Sequence, residues 1–210
     1  MRSISSHSVL GIDLGTSSVK VVALGADGRP LAEATAGYDV TAPDPGQAES
    51  DPGAWWSATV AAVHECLSHV GPAPAAIGLC GQMHGVVLTG DGGRALRPAI
   101  LWPDSRAVAE VAVYRRLPAG QLRRLMNPLV PGMAGPILLW LATHEPGHYR
   151  NAAWALQPKD WLRMQLTGIA AGDPSDASAT LLYDVPADRW HIELVEALGL
   201  EKGLLPPLLR

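Results

Sequence analysis

Apolar and polar positions group along the chain into runs whose length separates strands from helices. Residues 8–13 and 19–24 are short and rich in β-branched side chains, and 31–40 form a third run behind "GADGRP", whose Asp27-Gly28 pair is a hairpin turn signal. Together they predict an antiparallel meander of three strands. The Pro-, Gly- and Asp-bearing "TAPDPGQAES" predicts a loop. After it, "DPGAWWSATVAAVHECLSHV" predicts a helix, with Asp51 as N-cap, Pro52 at the first helical position and apolar residues at helical spacing. Residues 75–80 predict a buried strand that runs into "GQMHG", and 86–88 a further short strand ended by "TGDGGR". Helices are predicted over 104–117, over 137–143 and over "KDWLRMQLTG", where Gly168 supplies the stop. Three strands followed by alternating helices and strands indicate an α/β domain built on a mixed sheet. The sequence shows no internal repeat, low-complexity segment or linker, so residues 1–210 are expected to form one domain.

Composition narrows the chemistry. With 210 residues, 48% of them hydrophobic and 17% charged, the chain has apolar material for a substantial core. A net charge of -4 without a basic run leaves no electrostatic footprint for nucleic acid, and no apolar run reaches the roughly 20 residues that span a bilayer. The first residues, "MRSISSHSVLG", have one arginine and no sustained apolar stretch, so no secretory leader is read there and a cytoplasmic protein is expected. Cys66 and Cys80 lie too far apart for a CxxC site, and their apolar surroundings predict two small buried hydrophobes without chemistry.

The segment "LGIDLGTSSVK" stands out because an aspartate, a glycine and three hydroxyl residues separate two strands. In such a turn successive N–H groups can converge on an anion, and Thr16, Ser17 and Ser18 add hydroxyl donors, so a phosphate fits. The P-loop and the dinucleotide fingerprint both require a helix to follow, whereas here a strand follows. A plain polar hairpin with Gly15 at positive φ accounts for the same residues. Asp13 adds an acidic group at the end of a buried strand, and beside a phosphate-binding turn its partner is expected to be a hydrated Mg²⁺ ion.

Five segments, "GIDLGTSSVKVVALGADGRPL", "AAIGLCGQMHG", "LRPAILWPDSR", "QPKDWLRMQLTG" and "DPSDASATLLYDV", occur in the order and spacing of the FGGY family of carbohydrate kinases, which the chain resembles over nearly its whole length. The resemblance implies an N-terminal domain of ribonuclease H-like, actin-like ATPase fold, with a mixed sheet flanked by helices. Within the family "GQMHG" is similar to the segment of the xylulose kinases, where glycerol kinases carry an Arg-Glu pair. It implies phosphorylation of D-xylulose by ATP with Mg²⁺. Asp13 would place metal and phosphoryl group, Thr16, Ser17 and Ser18 would cradle the ATP phosphates, Lys20 would neutralise charge there, and Met83 and His84 would contact the ketose. Another ketose or polyol as substrate, a binding fragment without turnover, and a homodimer are left open. The family's Thr-Gly-Asn is replaced by Leu125, Met126 and Asn127. The family's general base, an aspartate in a "GGGDN"-like segment, has no counterpart in residues 1–210. The chain alone is therefore expected to be one inactive jaw of a two-domain clam, lacking the C-terminal ATPase domain.

A sugar pocket needs side chains that donate and accept, together with an apolar surface for C–H faces, and Gln82, Met83 and His84 supply that mixture. His84 alone would be read as a core histidine and Met83 alone as core filler. Their place at a strand end between two glycines, which let ligand and backbone approach, favours a site. Trp102, Asp104 and Arg106 could wall the substrate, with Asp104 among the binding residues. Asp104 as a helix cap, ion-paired to Arg106 at the surface, is the competing reading. Lys159 and Asp160 read as a helix-start ion pair, and Trp55-Trp56 as packing.

Overall fold

The computed structural model describes residues 8–70 and 73–209. The expectation about a leader falls on residues 1–7, outside those described. In chain order the elements are β1 (Ser8–Leu14), β2 (Ser18–Gly25), β3 (Pro30–Gly37), β4 (Glu49–Ser50), α1 (Pro52–Ser68), β5 (Ala76–Gly81), β6 (Val87–Thr89), β7 (Ala99–Ile100) and α2 (Val108–Tyr114). Then follow α3 (Ala119–Leu125), α4 (Ala134–His144), α5 (Pro146–Asn151), β8 (Trp154–Leu156), α6 (Pro158–Thr167), α7 (Pro174–Ser178), β9 (Tyr183–Asp184), β10 (Arg189–Trp190) and α8 (Ile192–Ala197). Contacts divide the chain into two compact units, one taking in the described residues through Val40 with Gly53–Gln82, the other Thr41–Pro52 with Met83 onward. Both units are discontinuous in sequence, which is why no linker composition marks the division.

The first unit holds the four-stranded sheet, in the order β3-β2-β1-β5. β1, β2 and β3 form the expected antiparallel meander, and β5 joins β1 in parallel, so the sheet is mixed. Alternation along the strands buries Leu10, Ile12, Leu14, Val19, Val21 and Ala23 on one face, because successive side chains point to opposite sides. α1 offers Trp55, Ala58, Ala62 and Cys66 at helical spacing, all buried. Trp55 meets Tyr38 with ring centroids 6.3 Å apart, and the Cys66 Sγ–H donates to the Ala32 carbonyl on β3 at 3.5 Å. These contacts set the helix over the β3 side of the sheet. β5, read as a buried strand, is therefore an exposed edge: Ile77 is 49% exposed although its register partner Leu10 is buried. Cys66 is buried as expected, whereas Cys80, on that edge, is exposed.

The second unit packs short antiparallel strand pairs, β4 with β7 and β6 with β8, among helices. Its core includes Val86, Leu88, Ile100, Tyr114, Ile137, Leu138, Leu141 and Leu182. α4 covers the expected helix and extends it; α6 ends as expected at Gly168, in the left-handed conformation, with its N–H bonded to the Met164 carbonyl. The helix expected over 104–117 starts only at Val108, behind an Ala107 cap that makes no side-chain bond. Among the described residues no helix is long and apolar enough to cross a membrane.

Candidate functional site

In the first unit the register sets Asp13 directly opposite Lys20 across β1 and β2, and beside Cys80 across β1 and β5. Asp13 and Lys20 line one open concavity of about 400 Å³ that also includes Val22 and Cys80 and is floored by Gly11 and Gly78. Those two glycines are register partners, so the floor is bare backbone on both strands. Sequence reading missed the pair because only the parallel register brings positions 11 and 78 together. Lys20 Nζ meets Glu33 Oε2 at 2.6 Å in an exposed ion pair.

Between Asp13 and Lys20, the Gly15–Ser18 turn closes through the Gly15 N–H to the Ser18 carbonyl at 3.0 Å. Gly15 does not have the positive φ expected of it. Its glycine identity comes from crowding instead, since a Cβ there would lie 2.9 Å from the Ser18 carbonyl oxygen. Thr16 and Ser18 are half-buried and Ser17 is exposed. The turn is braced from outside: Tyr38 Oη donates to the Gly15 carbonyl at 2.6 Å, and the Tyr38 N–H donates to the Ser17 carbonyl at 3.0 Å. Burial, and then the charge of Asp13, push the Tyr38 phenol well above its ordinary value, so it stays a donor. Gln82 Nε2 also donates to the Gly15 carbonyl, at 3.2 Å, while its buried Oε1 has no partner among the described residues. Gln82 is therefore tied to the Gly15–Ser18 turn, with one acceptor to spare.

"GQMHG" is split between the units after Gln82. In the second unit Met83 is 60% exposed, and His84 has a left-handed backbone, φ 55°, uncommon for a residue with a Cβ. Its Nδ1 lies 3.1 Å from the Ala179 carbonyl oxygen. Burial first, opposed by that hydrogen bond and by Asp176, holds the imidazole below its ordinary value, which keeps it neutral at pH 7. The glycine after it, at φ 77°, has no room for a Cβ, which would sit 2.8 Å from the Ile100 carbonyl. That glycine thus answers to the protein's own backbone rather than to a ligand.

Asp104 lies deep in the same unit, 2% exposed. Its carboxylate accepts from the Ala48 N–H at 2.7 Å, the Arg106 N–H at 2.8 Å, and Arg106 Nε and Nη2 at 2.8–3.0 Å. The ion pair with Arg106 is real but buried rather than at the surface, and Asp104 does not cap α2. Arg106 also reaches Glu49 at 2.6 Å and lies over the Trp140 ring, 4.9 Å from its centroid. Burial opposes its charge, but Asp104 and Glu49 outweigh that and raise its pKa. Trp102 is 45% exposed.

Sequence reading underrated Lys159. Beyond its pair with Asp160 at 2.7 Å, its Nζ reaches Asp173 at 2.7 Å and Asp176 at 3.2 Å. No local signal announces contacts made fourteen and seventeen positions away. Met126, where the resembled family has glycine, takes a left-handed φ of 50° at the end of α3. Asn127 Nδ2 bridges the Leu125 and Ser178 carbonyls at 2.8 Å each.

The sequence model of the FGGY family of carbohydrate kinases, N-terminal domain, matches residues 8–210. A xylulose kinase of Escherichia coli strain K12 is 39% identical over 201 residues, covering 95% of this chain and 41% of its own. Among solved structures, a xyloylose kinase from Brucella ovis superposes with a TM-score of 0.91 at 37% identity, covering 97% of this chain and 42% of its own. A gluconate kinase from Lactobacillus acidophilus gives 0.90 at 26% identity, with the same coverages. The chain thus spans about 41% of the length of the curated relatives it matches.

Proposed function

The chain belongs to the FGGY family of carbohydrate kinases, and from that premise we propose that it carries the sugar- and phosphate-handling part of an ATP-dependent xylulose kinase. The reaction transfers the γ-phosphoryl group of ATP to the terminal hydroxyl of D-xylulose, with Mg²⁺ as the metal. The observation that carries the reading is His84, held in a left-handed backbone with Nδ1 committed to the Ala179 carbonyl and Met83 exposed beside it. Such an imidazole offers Nε2 to a sugar hydroxyl, and the methionine offers an apolar surface to a C–H face.

Thr16, Ser17 and Ser18 are assigned to the ATP phosphates and Lys20 to their charge, in a turn that Tyr38 and Gln82 hold in shape. Asp13 is an exposed carboxylate, and among the described residues no group of three His, Cys, Asp or Glu side chains is arranged to hold a metal ion by itself. That suits a hydrated Mg²⁺, which is held through one or two carboxylates plus substrate phosphates rather than a protein cage. Bound there, the ion would offset charge on the transferring phosphoryl group. Asp104, with its oxygens turned to Arg106 and Ala48, is assigned to hold the substrate-side segment rather than to touch the sugar. The base for the hydroxyl proton is assigned outside these 210 residues.

The test is His84→Ala in the protein expressed from the whole reading frame. Loss of one hydrogen bond should raise KM for D-xylulose by about 1 to 3 kcal/mol equivalent while leaving KM for ATP nearly unchanged. Equal losses for both substrates would point to a structural role for His84. A sugar-acid acceptor is the second reading, favoured by the likeness to a gluconate kinase; D-gluconate turnover exceeding D-xylulose turnover would select it.

A further inference from the structure

The segment that presents the Ala179 carbonyl to His84 is itself pinned. Gln157 Nε2 donates to the Asp176 carbonyl at 2.7 Å, Asn127 Nδ2 to the Ser178 carbonyl at 2.8 Å, and the Gly135 N–H to the Thr180 carbonyl at 2.8 Å. At its start Asp173 caps α7, accepting from the Asp176 N–H at 3.0 Å. Two acidic side chains of this short segment, Asp173 at its start and Asp176 within α7, converge with Asp160 of α6 on the single ammonium of Lys159. Three carboxylates around one cation leave a net negative cluster, with Asp160 buried and the Lys159 side chain 15% exposed. Without the ammonium the carboxylates would repel one another in a partly desolvated place, and the turn that carries two of them would move away from α6. The cavity lined by Gly85, Gln157, Asp160, Asp173 and Thr180 is about 20 Å³, room for about one water, so the cluster is not itself a ligand pocket.

A carbonyl oxygen only accepts, so the Ala179 contact requires the proton of neutral His84 to be on Nδ1. Nε2 is then an acceptor and nothing else. We propose that Lys159 is a positioning residue: by gathering Asp160, Asp173 and Asp176 it fixes the 173–179 turn, whose Ala179 carbonyl locks His84 as the Nδ1–H tautomer and leaves Nε2 to accept from a donor group of the substrate. The claim that this donor is a sugar hydroxyl rests on the function proposed above; the clamp and the tautomer do not. The residue is specificity-determining at a distance, since a ligand oxygen that can only accept gains nothing from Nε2 in that state, whereas a hydroxyl does.

The test is long-range ¹H–¹⁵N correlation of His84 in the 210-residue chain near neutral pH, where both ring nitrogens report which one carries the proton. The expected result is a single Nδ1–H tautomer in the unmodified chain; an Nε2–H ring, or an even mixture, overturns the proposal. Lys159→Met should turn the single tautomer into an averaged pair of nitrogen shifts while the remaining histidine signals keep their positions. The double variant Asp173→Asn/Asp176→Asn keeps a good helix cap and removes the same charge link from the other side, and should do likewise. An unchanged His84 tautomer in both variants, or loss of the whole fold in both, refutes a positioning role. Addition of D-xylulose separates the two claims: His84 signals that do not respond sink the sugar assignment, and the tautomer in the unliganded chain still decides the clamp.

Discussion

Replacing Asp104 by Asn keeps the side chain's size and removes the charge on which its neighbours converge. The carboxylate is fully buried and takes hydrogen bonds from the Ala48 N–H, the Arg106 N–H and the Arg106 guanidinium. An amide in its place has one oxygen and one NH₂, so a donor must face either the Ala48 N–H or the Arg106 N–H. Breaking one partner of a buried pair costs about 3–5 kcal/mol. Arg106 keeps Glu49 at 2.6 Å and the Trp140 ring beneath it, which places the loss at the lower end, about 3 kcal/mol. For a chain of this size, with about 2–4 °C per kcal/mol, Tm should fall by roughly 6–12 °C. Thermal unfolding followed by tryptophan fluorescence measures it, with Trp140 close to the perturbed pair. A Tm within about 2 °C of the parent, together with weakened D-xylulose binding, would refute the reasoning and make Asp104 a ligand residue.

Asp13→Asn should lower kcat roughly a hundredfold or more in the protein expressed from the whole reading frame, with Tm unchanged because the side chain is exposed; near-normal kcat at saturating Mg²⁺ would eliminate the metal role. Burial pushes the Asp160 carboxyl up to about 6, against the offsetting charge of Lys159. An acid whose folded pKa is raised favours the fold below its ordinary value, and that contribution is lost as pH rises through about 6. Between pH 4 and pH 7 the stability of the parent relative to Asp160→Asn should therefore drop by about 2 kcal/mol, read from urea unfolding, and a flat difference would show the carboxyl to be unperturbed. Trp55→Ala, at a fully buried ring of α1, should cost about 3–5 kcal/mol in denaturant unfolding. A loss under about 1 kcal/mol would mean the helix is not anchored there.

The sequence by itself determined the parts of this protein whose causes are local. Alternating runs specified the three-stranded meander, Asp27-Gly28 its second turn, Pro52 the start of α1 and Gly168 the end of α6, because strand period, turn chemistry and helix stops act within a few residues. The segments "GIDLGTSSVK" and "GQMHG" announced themselves in the same way, by residue types incompatible with a plain core. Tertiary structure decided the rest. Whether β5 was buried depended on which side of the sheet α1 covered, a matter of Cys66 meeting Ala32 thirty-four positions away. Asp104 and Arg106 look like a surface pair in sequence, and only the arrival of Ala48 and Glu49, at the start of the distant strand β4, buries them. Lys159 reads as a helix-start charge until folding brings Asp173 and Asp176 to it, and the protonated nitrogen of His84 is set by a carbonyl ninety-five residues further on. Periodicity records what each residue prefers, whereas burial, pairing and proton placement depend on which distant neighbours the closed chain supplies.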